Sequence, residues 1–211
     1  MTSDRTTVRR LAEKSVDDPA ARNAILDASR LAHVSVIDDG TPFVLPVAYG
    51  RDGDQVLFHG STASRLFRSL AEGAPTCFTV TLLDGLLVAR SAFESSMHYR
   101  SVMVLGSCAA IDGDAKVEAL RTITEHLMPG RWDDVRSPLA KELAATLVLA
   151  LPLTEWSAKV GNSPPDDNPI DLDTAVWAGS VPILTTFGPL TDAPDLRMPV
   201  EPPAYLKTWI P

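Results

Sequence analysis

Short apolar runs separated by hairpin turns dominate the first half of the chain. Runs typical of β-strands at 33–37, 43–49 and 56–59 are separated by Asp38-Asp39-Gly40 and by Arg51-Asp52-Gly53-Asp54. Both separators are turn sequences, and strands joined by consecutive hairpins are antiparallel. The pattern therefore predicts an antiparallel meander. Further strands are predicted at 76–82, 86–89, 101–111 and 147–151.

Turn and capping residues complete this outline. Asp84-Gly85 predicts a hairpin turn between the strands at 76–82 and 86–89. Apolar residues at helical spacing, next to capping residues, predict short helices. These helices begin near Asp18-Pro19, at Ser64, after Asp112–Asp114 and at Ser137-Pro138.

The balance of elements predicts a mainly β fold of the α+β class. A sheet of six or more strands loses its exposed edges when it closes, so a small barrel with short flanking helices is expected. We predict one domain over residues 1–211. Residues 1–16 form an N-terminal arm, and the Pro- and Asp-rich residues 161–211 form an irregular C-terminal extension.

Composition and charge argue against several classes of function. A net charge of −8 and the absence of a basic stripe argue against nucleic-acid binding. No apolar run is long enough to cross a membrane, and the polar N-terminus lacks a signal-peptide pattern. Two widely spaced cysteines fit a reducing compartment, so a cytoplasmic protein is expected. The four histidines show no metal-ligand spacing, no metal site is predicted, and no catalytic residue is assigned.

The segment 59–65 has the composition of a phosphate site. It reads HGSTASR, so three hydroxyl groups and Arg65 arrive at the start of a predicted helix. Helix N-termini and guanidinium groups both bind phosphate. A cation at a helix start is unfavourable by itself, so Arg65 requires an anion. A surface ion pair with an Asp or Glu would also meet that need, but the neighbouring hydroxyl groups favour phosphate.

Pro46 interrupts the apolar run at 43–49. Because proline cannot donate a hydrogen bond to a strand ladder, it predicts an edge, a bulge or a position where a ligand replaces the ladder. The sequence leaves these alternatives open.

Five motifs in order resemble the pyridoxamine 5′-phosphate oxidase-like, FMN-binding split-barrel superfamily, in its flavin-nucleotide-binding and nitroimidazole-resistance-type branch. They occupy residues 33–49, 57–65, 82–106, 125–132 and 155–161. The resemblance implies a homodimer of six-stranded antiparallel split β-barrels, with one flavin per subunit in the groove between subunits. The residues that it assigns to the cofactor site are Val44, Leu45, Pro46, Val47, His59, Gly60, Ser61, Ser64, Arg65, Arg100, Ser101 and Lys159.

The resemblance also implies roles for these residues. The strand at 44–47 runs beside the isoalloxazine ring, and residues 59–61 approach the ring and the ribityl chain. Ser64 and Arg65 hold the FMN phosphate, while Arg100 and Ser101 border the cofactor. Lys159 either caps the pocket or packs in the dimer. His59 faces the ring or a haem iron, although a structural histidine at a strand end is the commoner outcome.

Two departures separate the chain from pyridoxamine phosphate oxidase itself. Leu66 stands where the oxidase follows its phosphate arginine with a lysine, and the substrate-binding C-terminal segment has no counterpart in WAGSVPILTTFGPL. We therefore do not expect that activity. The expected function is a flavin-dependent oxidoreductase that transfers hydride or electrons to a small electrophilic substrate, with a nicotinamide or a deazaflavin as electron donor. Alternatives are a flavin- or haem-binding storage or sensing protein, and the same fold with FAD, a deazaflavin or haem.

Overall fold

Strands account for most of the regular structure between residues 4 and 209, the range that this computed structural model describes. Residues 1–3 of the predicted N-terminal arm and 210–211 of the predicted C-terminal extension lie outside that range. The strands are β1 (Ser15–Val16), β2 (Leu31–Asp38), β3 (Thr41–Asp52), β4 (Gln55–Ser61), β5 (Pro75–Val88), β6 (Ser96–Ser107), β7 (Ala109–Ile111), β8 (Thr146–Pro152), β9 (Glu155–Gly161) and β10 (Gly179–Pro182). The α-helices are α1 (Pro19–Ala28), α2 (Arg65–Ala71), α3 (Asp114–Leu127) and α4 (Ala140–Ala144).

Local sequence signals correctly placed most of these elements. The predicted strands at 33–37, 43–49 and 56–59 lie within β2, β3 and β4. The Asp18 carboxylate accepts hydrogen bonds from the N–H groups of Ala20 and Ala21, at 3.1 and 3.2 Å, and so caps α1. An N-cap carboxylate followed by proline is a helix start that local chemistry alone specifies.

All strand pairs are antiparallel, in the order β1-β9-β6-β5-β2-β3-β4-β8-β7, with β10 added to β5. The end strands β1 and β7 do not pair with each other within residues 4–209, so no ladder closes the sheet. Instead, residues 96–111 form one nearly continuous run, in which β6 pairs with β5 and β7 pairs with β8. The sheet therefore curves around the core without closing, and the predicted mainly β, split-barrel fold is confirmed.

The predicted hairpin turn at Asp84-Gly85 is wrong. β5 continues through both residues to Val88, with only a register shift between Leu83 and Gly85, and the chain turns back later, at residues 89–95. A Cβ at Gly85 would lie 2.8 Å from the Val181 carbonyl oxygen of β10. Glycine is thus needed here for the close approach of another strand and not for a turn.

The main core lies inside the barrel. Tyr49, Phe58 and Phe78 are fully buried, with the Phe78 ring edge-on to Tyr49 at 5.1 Å between centroids. The Tyr49 hydroxyl donates to the Leu26 carbonyl oxygen of α1, and burial raises the pKa of this phenol. A smaller apolar cluster lies beneath α3 and includes Ile123 and Val148.

The two terminal segments lie on the outside of the barrel. The Arg5 guanidinium binds both carboxylate oxygens of Glu155 on β9, at 3.1 and 2.5 Å. Residues 162–209, here called the tail, contain β10 and two short 3₁₀ helices, Pro169–Asp171 and Ala204–Thr208. No helix between residues 4 and 209 combines the length and apolar character needed to span a bilayer.

Candidate functional site

β3 and β4 diverge and leave a split in the barrel wall. They pair only from Tyr49–Phe58 to Asp52–Gln55. Beyond that point residues 41–48 pair with β2 alone, and residues 59–61 pair with β8 alone. Within the described chain, one edge of β3 along 44–47 therefore has no strand partner. Pro46 lies on this edge segment, which is one of the alternatives that its sequence context left open.

Side chains alternate along this edge. Val44 and Pro46 are exposed on the outer face, whereas Val47 is buried and Leu45 is partly buried against the main core. The outer face therefore offers small apolar surfaces, and the free edge offers backbone groups.

The loop after β4 lies on the other side of the split. The Ser64 hydroxyl accepts a hydrogen bond from the Phe67 N–H at 3.4 Å and so caps α2. The Ser61 hydroxyl accepts one from the Ala63 N–H at 3.1 Å. These bonds hold the hydroxyl groups of Ser61 and Ser64 at the start of α2, beside Arg65.

Arg65 points back across the split towards the β2–β3 hairpin. Its Nε lies 2.8 Å from the Asp38 carboxylate, and its guanidinium carbon lies 5.7 Å from the centre of the Phe43 ring. The side chain is 66% exposed. The surface ion pair that the sequence left as an alternative is thus present, and it leaves much of the guanidinium open to solvent.

Gly60 and His59 line the β4 side of the split. A Cβ at Gly60 would lie 2.6 Å from the Phe67 ring, so only glycine lets α2 pack this closely. The His59 side chain remains exposed, although the surrounding chain partly desolvates it and lowers its pKa. A lowered pKa keeps this imidazole neutral near pH 7.

Ser101 and Lys159 belong to a second group, on the outer face of β6 and β9. They are directly paired, and Ser101 is also paired with Thr81 of β5. Both line a cavity of about 330 Å³ that residues 5–9 of the N-terminal arm partly cover. Lys159 Nζ donates to the Arg10 carbonyl oxygen at 3.4 Å. Thr79 is two residues from Thr81 on β5, so its side chain lies on the same outer face. Thr79 is paired with His33 of β2, which is paired with Pro46 of β3. The outer face that holds Ser101 and Lys159 therefore extends across the sheet to Pro46.

Arg100 is separated from Ser101 by strand alternation and faces the other side of β6. Its guanidinium forms a double hydrogen bond with Asp84, at 2.8 and 2.7 Å. That hydrogen bonding lowers the pKa of Asp84 and raises the pKa of Arg100. Ser101 therefore lies on the outer face with Lys159. Arg100 lies on the opposite face of β6, where its guanidinium is bound by the Asp84 carboxylate.

Sequence reasoning missed three contributors to these surfaces. Asp38 and Asp84 were interpreted as turn residues, yet each pairs with an arginine distant in sequence. The N-terminal arm was predicted, but not its position over the cavity beside Ser101. None of these contacts has a local sequence signal, because each depends on strand register.

Comparisons with known proteins identify the family and the fold of the chain. A family profile described as pyridoxamine 5′-phosphate oxidase matches residues 18–160. The FAD and haem binding protein from Mycobacterium smegmatis is 41% identical, with a TM-score of 0.90 over 93% of this chain and 97% of its own. The flavocytochrome Anf3 from Azotobacter vinelandii is also 41% identical, with a TM-score of 0.92 over 98% of this chain and 97% of its own.

A more distant structure shares the fold. A candidate 5-nitroimidazole antibiotic resistance protein from Bacteroides thetaiotaomicron is 22% identical, with a TM-score of 0.58 over 69% of this chain and 86% of its own. No curated protein sequence matches the chain. The family profile ends at residue 160, whereas the two structures with 41% identity also extend over most of the tail.

Proposed function

Because the chain belongs to the pyridoxamine 5′-phosphate oxidase family, we propose that it is a flavin-dependent redox protein with its cofactor at the split. The observation that carries this proposal is the 41% identity, over 93% of the chain, to a protein that binds FAD and haem. That relative favours FAD over the FMN that the motifs predict. The cofactor groove is proposed to lie between two copies of the chain.

Arg65 is the residue that we expect to bind the flavin phosphate. In its ion pair with Asp38, the Arg65 side chain is 66% exposed and the Asp38 side chain 22%, and ion pairs that are open to solvent contribute about 0–1 kcal/mol. A charge-assisted hydrogen bond to phosphate contributes about 1.5–3 kcal/mol. The hydrogen bond to phosphate is the stronger of the two interactions. When a flavin binds, the Arg65 guanidinium would therefore contact the phosphate in addition to Asp38 or in place of it. The Ser61 and Ser64 hydroxyl groups lie at the same helix start.

The free edge of β3 suits the flavin ring. Residues 44–47 present backbone N–H and C=O groups without a strand partner, and Pro46 removes one donor from that edge. A ring with polar atoms along one edge and apolar faces matches such a surface. On the opposite side of the split, Gly60 lets the Phe67 ring of α2 pack closely against β4.

A bound flavin supplies the hydride or electron transfer, so the protein has to hold, orient and shield it. We propose a small electrophilic acceptor and a nicotinamide or deazaflavin as electron donor. We propose no general acid or base for this transfer among residues 4–209. Pyridoxamine phosphate oxidase activity is not proposed, because Leu66 replaces the expected lysine.

The visible spectrum of the purified protein, with mass spectrometry of the released ligand, tests the cofactor. We expect flavin absorption and the mass of FAD. The mass of FMN would instead support the prediction from the motifs. Protein that stays colourless after incubation with FAD and FMN would contradict the proposal.

Flavin titration of variants tests the phosphate site. Arg65→Ala should weaken flavin binding about tenfold or more, because it removes a charged hydrogen bond. Asp38→Asn should strengthen binding, because it removes the competing carboxylate. Arg68→Ala, in the same helix and exposed, is the matched control and should leave the affinity unchanged. Equal affinities in all three variants would exclude Arg65 as the phosphate ligand.

Haem is a second candidate ligand, alongside the flavin, because both relatives with 41% identity are described as haem or flavocytochrome proteins. Iron requires a neutral imidazole with a free nitrogen. The Nε2 atoms of His98 and His126 contact carbonyl oxygens, at 2.9 and 2.6 Å, so each of these rings could offer iron only its Nδ1, whereas His33 and His59 make no hydrogen bond within residues 4–209. His59, beside the split and with a lowered pKa, is the preferred ligand.

Haem reconstitution tests this second candidate. His59→Ala should lose the Soret band and retain flavin absorption, while His33→Ala should retain both. An unchanged Soret band in His59→Ala would exclude that ligand. Bound flavin that NADH, NADPH and reduced deazaflavin all fail to reduce would support the storage or sensing alternative.

A further inference from the structure

The positive charge of Arg65 is already balanced by a carboxylate of the same chain. The Arg65 Nε atom lies 2.8 Å from the Asp38 carboxylate. Leu66, the next residue of α2, is partly buried against the main core and adds no second positive charge. An anion that binds the Arg65 guanidinium therefore shares that group with Asp38.

The β2–β3 hairpin holds Asp38 in this position. Asp38 is the last residue of β2 and is paired with Thr41, across a turn in which Asp39 and Gly40 both have positive φ. Its side chain is 22% exposed, against 66% for Arg65. A short side chain on a paired strand residue has little room to swing away. Its negative charge therefore stays beside the guanidinium when Arg65 reaches towards a ligand.

The flavin nucleotides differ in the charge that they bring to a phosphate site. FMN ends in a phosphate monoester, which carries about −1.5 to −2 charge at pH 7. In FAD the same phosphate is linked on both sides, so it carries a single negative charge. Riboflavin has no phosphate. Because all three share the isoalloxazine ring, a comparison among them isolates the contribution of the phosphate.

We infer that Asp38 is a specificity-determining residue, which makes the site favour FAD over FMN. One guanidinium matches a singly charged phosphate, to which it can donate two parallel hydrogen bonds. The additional charge of FMN would meet the Asp38 carboxylate with no cation at position 66 to balance it, and like charges at close range repel. The inference rests on the phosphate site in the proposed function, and it supplies a cause within this chain for the choice of FAD.

A purely structural ion pair would have a different effect on flavin binding. If the pair of Arg65 and Asp38 only held the hairpin against α2, its loss would change the affinity for all three flavins by the same factor. Charge repulsion instead changes the affinity for FMN most, for FAD less and for riboflavin least. The order of the three changes therefore distinguishes cofactor selection from a structural role.

Equilibrium titration with riboflavin, FMN and FAD at one neutral pH tests the inference. Asp38→Asn keeps the shape of the side chain and removes its charge. It should strengthen FMN binding at least about threefold more than FAD binding, because one unit charge at a partly exposed site changes an affinity by roughly that factor. Riboflavin binding should change by less than about twofold. High salt should reduce the difference between FMN and FAD, because it screens exposed charges.

Asp39→Asn is the matched control, since it changes the net charge by the same amount. Asp39 is exposed in the turn, and its φ of 48° is one that asparagine also adopts readily. This variant should leave the ratio of the FMN and FAD dissociation constants unchanged. An unchanged ratio in Asp38→Asn, or an equal change in Asp39→Asn, would overturn the inference.

Arg65→Ala separates this inference from the proposed function. If Arg65→Ala weakens FMN and FAD binding but Asp38→Asn leaves their ratio unchanged, the phosphate site stands and Asp38 does not select the cofactor. If Arg65→Ala weakens neither, the phosphate site itself is contradicted, and the selectivity of Asp38 is contradicted with it. Circular dichroism confirms that each variant is folded.

Discussion

The barrel and the tail use apolar residues in opposite ways. Tyr49, Phe58 and Phe78 are fully buried in the barrel, whereas Ile170 and Met198 of the tail are mostly exposed. Burial of apolar area is the main favourable contribution to folding, so the barrel supplies most of its own stability. The tail does not, so its order must come from local anchors to the barrel.

Three anchors attach the tail to the barrel. The Asp167 carboxylate accepts hydrogen bonds from the Arg90 N–H and guanidinium, at 2.6 and 2.7 Å. β10 pairs with β5. The Phe187 ring lies 5.1 Å from the guanidinium carbon of Arg30, just after α1. Between these anchors many apolar side chains are exposed, so the tail adds little to the core.

The largest expected difference between the regions is in stability. Phe78→Ala should lower the free energy of unfolding by about 3–5 kcal/mol, because it leaves a cavity in the main core. Ile170→Ala in the tail should change it by less than about 0.5 kcal/mol. Urea unfolding at one protein concentration measures both. Similar losses in the two variants would contradict the contrast between barrel and tail.

Gly85→Val should release the tail strand from the barrel. The new side chain would collide with the Val181 carbonyl oxygen, which lies only 2.8 Å from the point that a Cβ would occupy. Limited proteolysis within residues 162–200 should accelerate at least about fivefold, while the barrel remains resistant. Gly188→Val is the control, since nothing lies within 4 Å of that position. Unchanged cleavage in Gly85→Val would show that β10 does not hold the tail.

Phe187→Ala should loosen the far end of the tail by a smaller amount. Its ring packs on Trp209 and lies 5.1 Å from the Arg30 guanidinium. Aromatic pairs contribute about 0.5–1.5 kcal/mol, so hydrogen exchange across residues 185–209 should accelerate a few-fold. Leu190→Ala, also exposed, serves as the control. Equal exchange in both variants would contradict the anchoring role of Phe187.

The smallest effect is expected at Asp84, where the barrel joins the tail. Hydrogen bonding from Arg100 lowers the pKa of Asp84 below its ordinary value of 3.8, so the pair stabilises the fold above that pH. This contribution is lost as pH falls through the lowered pKa. Asp84→Asn should cost about 0.2–1 kcal/mol at pH 7, because the pair is partly exposed.

Urea unfolding between pH 7 and pH 2 measures this effect, with Asp192→Asn as the control. The difference between wild type and Asp84→Asn should shrink as the medium becomes acidic. A difference independent of pH would show that the Asp84 charge does not contribute.

Candidate site residues were only partly predictable. The hydroxyl groups and arginine at 61–65 are adjacent in sequence, so their grouping at the start of α2 follows from local structure. The partner of Arg65 is Asp38, which belongs to a different hairpin and has no local signal. Arg100 and Ser101 were assigned together, but adjacent residues of a strand face opposite sides.

The alternation of apolar residues, the turn residues and the helix caps by themselves determined the strands, the short helices and the antiparallel β class, because these depend on neighbours within a few positions. Tertiary structure alone decided that Asp84-Gly85 lies inside a strand, that 44–47 forms a free edge, and which carboxylates meet the arginines. Those outcomes depend on the register between distant strands, which local patterns do not specify.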